Sequence, residues 1–279
     1  MRVQPFSYLE QKDGGGPSVP WTPAEISTTV WIDPSDASTV TLAGTNIISI
    51  TDKSGNGHDL IQTLFTGRRF TYATNAINSL NAMEGYGSEA MYLDYNSEFN
   101  SLNWFFVTDI DNTTVSSNQA VMRRGFGGDS LGGTLRYTVN GLGGFYQFAS
   151  GGVAISNLTS ILNPSVNEVL MDYNGTQTAV SAYQDANIFS GPFNGNGILT
   201  NQTSTVKPVI GGAYQSNSWN QGDHFSDFFQ GRIGEIIWIN DSVVTTDTRQ
   251  KIQGYLAWKW GTEGNLPVGH PYKDNPPTI

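Results

Sequence analysis

The segment that decides the fold is residues 230–261, QGRIGEIIWINDSVVTTDTRQKIQGYLAWKWG. In its first part, residues 232–239, apolar side chains fall on both parities of an extended chain. Glu235 shares one parity with Ile233, Ile237 and Ile239, and the other parity carries Ile236 and Trp238. A strand that is apolar on both faces is normally covered on both faces. We therefore predict that this strand lies deep in a sheet, where Glu235 makes a structural hydrogen bond or ion pair.

A helix is predicted in the second part of the same segment. The residues that recur there at helical spacing are Ile252, Tyr255, Leu256 and Lys259/Trp260. The Thr-Thr-Asp run at 245–247 offers an N-cap, and Gly261 supplies the stop. Lys259 also suits the negative end of the helix dipole. We predict one amphipathic helix over about 247–260, the only long helix of the chain, packed against the rest of the protein by Ile252, Leu256 and Trp260.

Length and composition favour one large all-β domain. The chain has 279 residues, of which 38% are hydrophobic, 12% aromatic and 14% charged, and it contains 32 glycines. Its polarity comes mainly from Asn, Ser, Thr and Gln, which suits short strands joined by tight turns. The apolar content is high enough to form a packed core, which excludes a disordered chain.

Charge and missing residue types exclude several function classes. A formal net charge of -10 argues against a nucleic-acid partner, because such partners need a basic surface. The chain has no cysteine, so we expect neither disulfides nor thiolate chemistry. The N-terminal sequence lacks the apolar core of a signal peptide, and no apolar run approaches the length of a membrane span. We therefore expect no membrane insertion.

Three groups of segments carry a resemblance to a known family. GRIGEIIWIN, followed by TTDTRQKIQGYLAWKWG and LPVGHPYKDNPP, resembles the end of a laminin-G-like, concanavalin A-type jelly roll. VWIDPSDASTV with ISITDKSGNGHDLIQ resembles the opening strand, aspartate-rich turn and SGNG loop of that family. INSLNAMEGYGSEAMYL resembles an internal segment in which an apolar strand meets an acidic residue and glycine. Together these segments bracket residues 28–277.

The resemblance implies a fold and a setting. The fold is an all-β, concanavalin A-like jelly-roll sandwich of two antiparallel sheets, with one C-terminal helix and an N-terminal arm. Domains of this family are common in bacteriophage virion proteins and in secreted bacterial proteins. The domain itself is predicted at residues 21–279.

Residues 1–20 are predicted to form the N-terminal arm and its linker. Phe6, Tyr8 and Leu9 belong to a short apolar cluster, and Asp-Gly-Gly-Gly-Pro at 13–17 breaks any regular structure. Two interpretations stay open. Either these three side chains anchor the domain in another protein of an assembly, or the arm packs on its own domain.

The loop at 52–59, DKSGNGHD, is a candidate metal site. Its candidate ligands are Asp52, Asn56 and Asp59, because alternating oxygen-bearing residues followed by glycine resemble the first half of a calcium-binding loop. Thr63 stands where an EF-hand has its final glutamate, which excludes that motif. Laminin-G-like domains often bind calcium, which makes calcium the candidate cofactor. The alternative is a structural turn supported by the glycines.

The loop at 211–230, GGAYQSNSWNQGDHFSDFFQ, is the candidate for ligand recognition. Aromatic rings stack on the apolar faces of sugars, and amides and carboxylates bind the hydroxyls. The candidate ligand-binding residues are Tyr214, Trp219, Asp223 and His224. Packing within the loop is the alternative for all four.

Catalysis is not predicted. A glycosidase needs two carboxylates on either side of the cleaved bond, but the acidic residues of this chain are spaced singly, at Glu84, Glu89, Asp94, Glu98, Glu168, Asp172 and Glu235. The three histidines are far apart, and no phosphate-cradling motif is present. We therefore predict a protein that is not an enzyme.

The predicted function is a non-enzymatic structural protein of a phage virion, as a head decoration, fibre or tail component. It would present a lectin-like domain for adhesion to a host surface or glycan. The expected partners are other virion proteins, bound through the arm, and cell-surface glycans, and homo-oligomerisation stays open. The alternative is a carbohydrate-active enzyme, or its carbohydrate-binding module, on a bacterial cell surface.

Overall fold

The computed structural model describes residues 18–95, 101–111, 118–119, 121–123, 136–139, 144–148, 153–154, 164–173, 178–195, 207–214, 225–240 and 244–279. The strands are β1 (Val30–Ile32), β2 (Val40–Ala43), β3 (Asn46–Ile50), β4 (Leu60–Ile61), β5 (Thr71–Ile77), β6 (Leu80–Tyr86), β7 (Met91–Leu93), β8 (Ser101–Ile110), β9 (Asn118–Gln119), β10 (Met122–Arg123), β11 (Arg136–Val139), β12 (Gly144–Phe148), β13 (Val153–Ala154), β14 (Ser165–Tyr173), β15 (Thr178–Gln184), β16 (Asn187–Gly195), β17 (Val209–Ile210), β18 (Ala213–Tyr214), β19 (Phe225–Ser226) and β20 (Gln230–Asn240). The helix is α1 (Thr246–Trp260), and short 3-10 turns occur at Pro23–Glu25, Ala37–Thr39, Thr66–Arg68 and Glu263–Asn265.

Most of these strands join one antiparallel network of 14 strands. Its order is β10-β17-β7-β4-β3-β5-β6-β20-β8-β14-β15-β16, with β1 paired to β20 and β2 paired to β3. Two smaller sheets have the orders β13-β12-β11-β9 and β18-β19. This arrangement confirms the predicted all-β, antiparallel fold with a helix near the C-terminus.

The network encloses a central core, defined by buried side chains that include Leu60, Met91, Val169, Ala182 and Trp238. Strands β4 and β7 contribute to this core from one half of the strand order, and β14 and β15 contribute from the other half. Strands so far apart in one sheet can share a core only when the sheet folds over into two layers. The result is the predicted sandwich.

Strand β20 lies in the middle of this network, as its sequence predicts. It pairs with β8 on one side, and β6 and β1 share its other side. Its residues 233–239 are all buried. A strand with neighbours on both edges and cover on both faces needs apolar side chains on both parities.

The predicted parity of β20 is wrong at one position. Ile233 lies in the central core with Ile236 and Trp238, although simple alternation places it with Glu235. The pairing with β8 shifts register between Ile233 and Ile236. Such an irregularity inserts an extra residue, which moves every side chain on one side of it to the other face.

Helix α1 covers the opposite face of the sheet. It begins after Thr245, whose Oγ1 accepts a hydrogen bond from the Thr248 N–H at 3.2 Å, and it ends at Gly261, whose φ of 75° lies in the left-handed region. Ile252, Leu256 and Trp260 are completely buried, which confirms the predicted packing face. No helix in the described residues has both the length and the hydropathy that crossing a bilayer requires.

Together with β8 and β20, these helical side chains form a helix core that also contains Trp21, Phe105, Val107, Ile237 and Ile239. Trp21 reaches it from the start of the described chain. Its N–H donates to the Pro277 carbonyl at 3.0 Å, and Pro20 forms an isolated antiparallel bridge with Thr278. The last residues of the predicted linker are therefore attached to the domain. The anchor candidates Phe6, Tyr8 and Leu9 lie outside the described residues.

Candidate functional site

A cleft of 320 Å³ opens where β6, β8 and β20 run side by side. Its lining combines acidic residues, an arginine, a tyrosine and two glycines, and consists of Glu84, Gly85, Tyr86, Asp109, Ile110, Asp111, Gly231 and Arg232. Met83, Ile110 and Ile233 of the same strands belong to the central core. Because side chains alternate along a strand, Glu84, Asp109 and Arg232 point away from that core.

A row of charges crosses the three strands inside the cleft. Arg232 lies directly opposite Glu84 on β6 and opposite Asp109 on β8. Its Nε donates to Glu84 Oε1 at 3.0 Å, and its Nη1 donates to Asp109 Oδ2 at 2.8 Å. The hydrogen bond to Asp109 is the main cause that raises the pKa of the Arg232 guanidinium, so this group stays charged.

The cleft carries excess negative charge. Glu84, Asp109 and Asp111 supply three carboxylates, and Arg232 supplies one guanidinium. The Arg232 side chain is 38% exposed, so solvent reaches this row of charges. An electrostatic field of this sign repels anions and attracts cations or neutral dipoles.

Tyr86 stands at the rim of the cleft with its ring open to solvent, since the residue is 63% exposed. Its hydroxyl donates to Glu84 Oε2 at 2.6 Å, and this hydrogen bond raises the pKa of the Tyr86 phenol. The ring is thus held in one orientation by a group that is itself held by Arg232. An exposed aromatic face with a fixed polar edge can take part in recognition.

A buried carboxylate shapes the turn that carries Tyr86. Glu89 is 7% exposed, and its Oε2 accepts the backbone N–H groups of Tyr86 at 2.6 Å and of Ser88 at 2.9 Å. Gly87 between them has a φ of 95°, which favours glycine. This local set of hydrogen bonds fixes the backbone that presents the ring.

Two glycines contribute to the lining of the cleft. Gly85 of β6 lies directly opposite Gly231 of β20. A Cβ atom on Gly85 would lie 2.8 Å from a ring carbon of Phe70, and one on Gly231 would collide with the carbonyl oxygen of Asp109. Gly85 therefore lies against the core residue Phe70 and Gly231 lies against the backbone of Asp109, so neither position has room for a side chain.

The predicted calcium ligands lie together in one hydrogen-bonded loop. Asp52 Oδ1 accepts from the N–H groups of Trp31 at 2.8 Å and Ser54 at 2.9 Å, and Asp59 Oδ1 accepts from the Asp52 N–H at 2.8 Å. The Asn56 amide donates to two backbone carbonyl oxygens, at 2.9 and 3.0 Å. These contacts are those of a structural turn, the alternative that the sequence left open, and calcium binding stays a prediction. In the described part of the chain, no group of three or more His, Asp or Glu residues is placed to hold a metal ion.

Half of the predicted recognition loop, residues 215–224, falls outside the described residues. This applies to Trp219, Asp223 and His224. Tyr214 lies in β18, where its backbone pairs with Phe225 of β19. Ligand binding by these four residues stays a prediction.

Sequence reasoning missed the cleft, although a signal for it exists. Polar side chains recur two positions apart at the ends of otherwise apolar strands, as Glu84 with Tyr86, Asp109 with Asp111, and Gln230 with Arg232. Such pairs share one face of a strand. Only the pairing of β6, β20 and β8 shows that the three pairs are neighbours.

Comparisons with known proteins give similarity to solved structures alone. No family model matches the chain, and no curated protein matches it. Trypanosoma rangeli sialidase in complex with sialic acid is 13% identical, with 83% of this chain and 35% of that chain covered and a TM-score of 0.48. The Ruminococcus gnavus IT-sialidase CBM40 bound to alpha2,3 sialyllactose is 9% identical, with 58% and 91% covered and a TM-score of 0.44. The enzymatically active domain of bacteriophage CBA120 tailspike protein 2 is 12% identical, with 71% and 29% covered and a TM-score of 0.37.

This chain therefore spans about a third of the sialidase chain that it resembles. Several of the similar solved structures are sialidases, which are enzymes, and this finding contradicts the prediction of a non-enzymatic protein. The physical reason lies in the cleft. Glu84 and Asp109 are far apart in sequence, yet both bind Arg232, so the single spacing of acids along the chain does not exclude a carboxylate pair.

Proposed function

We propose that the cleft between β6, β8 and β20 binds carbohydrate. The observation that carries this proposal is the exposed ring of Tyr86 beside a fixed row of planar polar groups, Glu84, Arg232 and Asp109. A sugar presents an apolar face that stacks on an aromatic ring, and hydroxyls that bind carboxylate and guanidinium groups. The cleft volume of 320 Å³ suits one or two sugar rings.

The charge of the cleft selects the class of sugar. Three carboxylates against one guanidinium repel a sugar acid, so sialic acid fits poorly. The same carboxylates accept hydrogen bonds from neutral hydroxyls and attract the ammonium group of an amino sugar. We therefore expect binding of neutral glycans and, more tightly, of glucosamine oligomers.

The test is calorimetric titration of the full chain with three probes: a neutral glucose oligomer, a glucosamine oligomer and sialyllactose. Tyr86→Ala is expected to weaken binding of the first two by about tenfold, or about 1.4 kcal/mol, because the stacking face is lost. Tyr86→Phe keeps the ring and should retain most of the affinity. Val268→Ala, at a fully exposed position that does not line the cleft, is the control and should change nothing.

The outcomes separate clearly. Tight binding of sialyllactose together with no binding of the other two probes would overturn the assigned sugar class. If Tyr86→Ala binds the glucose and glucosamine oligomers as well as the unchanged chain does, the site is not this cleft.

A second candidate function is glycoside hydrolysis in the same cleft. It is favoured by the two carboxylates of Glu84 and Asp109 on either side of Arg232, since a glycosidase uses one carboxyl group as an acid and a second as a base or nucleophile. Incubation with the bound oligosaccharides should then release free sugar. Glu84→Gln and Asp109→Asn should each abolish that release, and release that survives both substitutions would exclude this cleft as its source.

The finer part of the proposal concerns where the domain is displayed. A phage virion or a bacterial cell surface is the proposed location, with Phe6, Tyr8 and Leu9 as anchor to a virion partner. Deletion of residues 1–16 leaves the contacts of Trp21 and Pro20 with the C-terminal residues in place. The truncated protein should melt like the full chain and fail to join its assembly. Unfolding of the truncated protein would instead place the arm within the sandwich.

A further inference from the structure

A cluster of charged side chains lies sealed beneath α1, away from the cleft. Lys259 in the last turn of α1 places its Nζ 2.6 Å from Glu235 Oε2 and 2.9 Å from Asp33 Oδ2. Asp33 follows β1 directly, and Glu235 lies in β20. All three residues are buried, with exposures of 5% for Lys259, 0% for Glu235 and 3% for Asp33. We call these three residues the buried triad.

Glu235 is held in a fixed position by donors from aromatic residues. Its Oε1 accepts from Trp31 Nε1 at 2.5 Å and from the Tyr255 hydroxyl at 3.0 Å, and its Oε2 accepts from Trp260 Nε1 at 3.2 Å. Burial raises the pKa of the Glu235 carboxyl, so it takes up a proton more readily than an exposed glutamate does. A fixed carboxyl group of this kind, in contact with an amine, can carry protons.

The Asp33 carboxyl group has different partners on its two oxygen atoms. Its Oδ1 accepts from the Ser35 N–H at 3.1 Å and from the Ser35 hydroxyl at 2.6 Å, and its Oδ2 faces Lys259 and Lys53. Burial acts to raise the pKa of Asp33, but Lys259 and Lys53 outweigh it and lower the pKa to about 2. Two donors on one oxygen and the Lys53 ammonium on the other polarise the carboxyl group and can stabilise the oxyanion of an addition step in which Lys259 is the attacking amine.

We propose that the buried triad forms an intramolecular amide bond between the Lys259 side-chain nitrogen and the Asp33 side-chain carboxyl carbon, with Glu235 as the proton carrier. The Lys259 ammonium gives one proton to Glu235, and the resulting amine attacks the carboxyl carbon. The nitrogen then loses a second proton. Asp33 Oδ2 receives both protons through Glu235, the bond from the carbon to this oxygen breaks, and the oxygen leaves as water.

The step balances without any further reactant. One ammonium and one carboxylate become one amide and one water, and Glu235 ends in the protonation state in which it began. Oδ1 becomes the amide oxygen and keeps the two donors of Ser35. Contact at 2.9 Å between the two groups already supplies the proximity that intermolecular amide formation lacks.

Burial favours the product. A charged ammonium and carboxylate held out of water are costly to keep, whereas an amide is neutral. The three reacting residues are at most 5% exposed. Once the released water has left, little solvent can reach the amide, and the reverse hydrolysis is hindered. The link would join residues 226 positions apart, and so tie the end of β1 to the end of α1.

Mass spectrometry of the denatured, purified full chain tests this proposal. The intact mass should be lower than the sequence mass by one water molecule. A tryptic digest should contain a branched peptide that joins the Asp33 and Lys259 segments. An intact mass equal to the sequence mass, with trypsin cleavage after Lys259, would falsify the proposal, and so would a branch at Glu235 in place of Asp33.

Matched variants identify the roles. Lys259→Arg keeps a cation but lacks the nucleophilic amine, and Asp33→Ala lacks the acyl group, so both should show the full sequence mass expected for the variant. Glu235→Gln should leave most chains unlinked at the time when the unchanged protein is fully linked. Lys251→Arg, on the exposed part of the same helix, should still lose one water. If a variant at the buried triad fails to fold, the mass and digest of the unchanged chain decide the question alone.

Discussion

The buried triad and the cleft contain similar charged groups, but the triad is shielded from solvent and the cleft is open to it. Arg232 pairs with two of the three carboxylates of the cleft, Lys259 pairs with both carboxylates of the buried triad, and both clusters use strand β20, where Arg232 and Glu235 stand three residues apart. Helix α1 covers Glu235 completely, whereas the Arg232 side chain is 38% exposed. Solvent screens the charges of an exposed cluster, and a ligand can reach them. The charges of a buried cluster affect the stability of the fold and the reactivity of the groups that carry them.

This difference shows that burial, more than residue composition, determines whether a cluster of charges affects stability or ligand binding. Removal of a cation from a covered cluster leaves carboxylates that water cannot solvate, whereas solvent compensates the same loss at the surface. Three variants measure this contrast.

The largest effect is expected for Lys259→Met, which cannot form the proposed amide and leaves Glu235 without a cation, while Asp33 keeps only Lys53. The free energy of unfolding should fall by about 3–5 kcal/mol, since uncompensated buried charge is strongly destabilising. Chemical denaturation with guanidinium chloride measures this. The matched control is Lys251→Met, in the same helix, where the lysine pairs with Asp247 on the surface. An equal loss of stability in both variants would show that burial does not distinguish the clusters.

Asp185 supplies the intermediate case, a buried carboxylate whose described partners are neutral. Its Oδ1 accepts the Val166 N–H at 2.9 Å, and its Oδ2 accepts from the Asn265 amide at 3.4 Å. Burial raises the pKa of Asp185 from 3.8 to about 6, whereas the pKa of Asp33, between two lysines, falls to about 2. A raised acid pKa stabilises the fold fully below pH 3.8, and this contribution is lost as the pH rises through about 6.

Asp185→Asn isolates this contribution, because asparagine keeps the acceptor for Val166 and tolerates the φ of 46° at this position. The variant should match the unchanged protein near pH 4 and exceed its free energy of unfolding by up to about 3 kcal/mol at pH 7. Urea denaturation at a series of pH values measures both. A constant difference between the two proteins from pH 4 to pH 7 contradicts the prediction.

The smallest effect on stability is expected for Arg232→Gln. Ion pairs that are open to solvent contribute about 0–1 kcal/mol, so the thermal midpoint should hardly move. Affinity for the glucose oligomer should nevertheless fall, because Glu84 and Asp109 lose the group that orients them. A large loss of stability here would place this row of charges among the buried ones.

Sequence alone was enough for the parts of the fold that depend on local patterns. Periodicity and cap chemistry predict the two-sided apolar run of β20, an N-cap within residues 245–247, the Gly261 stop and the buried face of α1. The structure confirms them, with Thr245 as the cap. The structural role predicted for Glu235 is confirmed by its hydrogen bonds to Trp31 and Tyr255. Apart from the partners of Glu235, which come from β1 and α1, each of these features is determined within one strand or one helix.

Features that depend on pairing between distant strands were not predictable in the same way. The register shift that turns Ile233 into the central core is visible only against β8. The same holds for Lys259, which the sequence assigned to the helix dipole and which the fold places against Asp33, 226 residues away. The cleft likewise exists only because β6, β20 and β8 are neighbours, and no spacing along the chain expresses this.

The pairing of the two chain ends has a consequence for how the domain can be connected. The Ile279 N–H donates to the Val19 carbonyl at 3.0 Å, so the described chain enters and leaves the domain at one place. A domain with adjacent ends can be inserted into a surface loop of a host protein without stretching that loop. It can also be circularly permuted, with a short peptide joining residue 279 to residue 19 and new ends opened at an exposed turn such as 44–45, between β2 and β3. Because its two ends are adjacent, the domain can be moved into another protein as one unit.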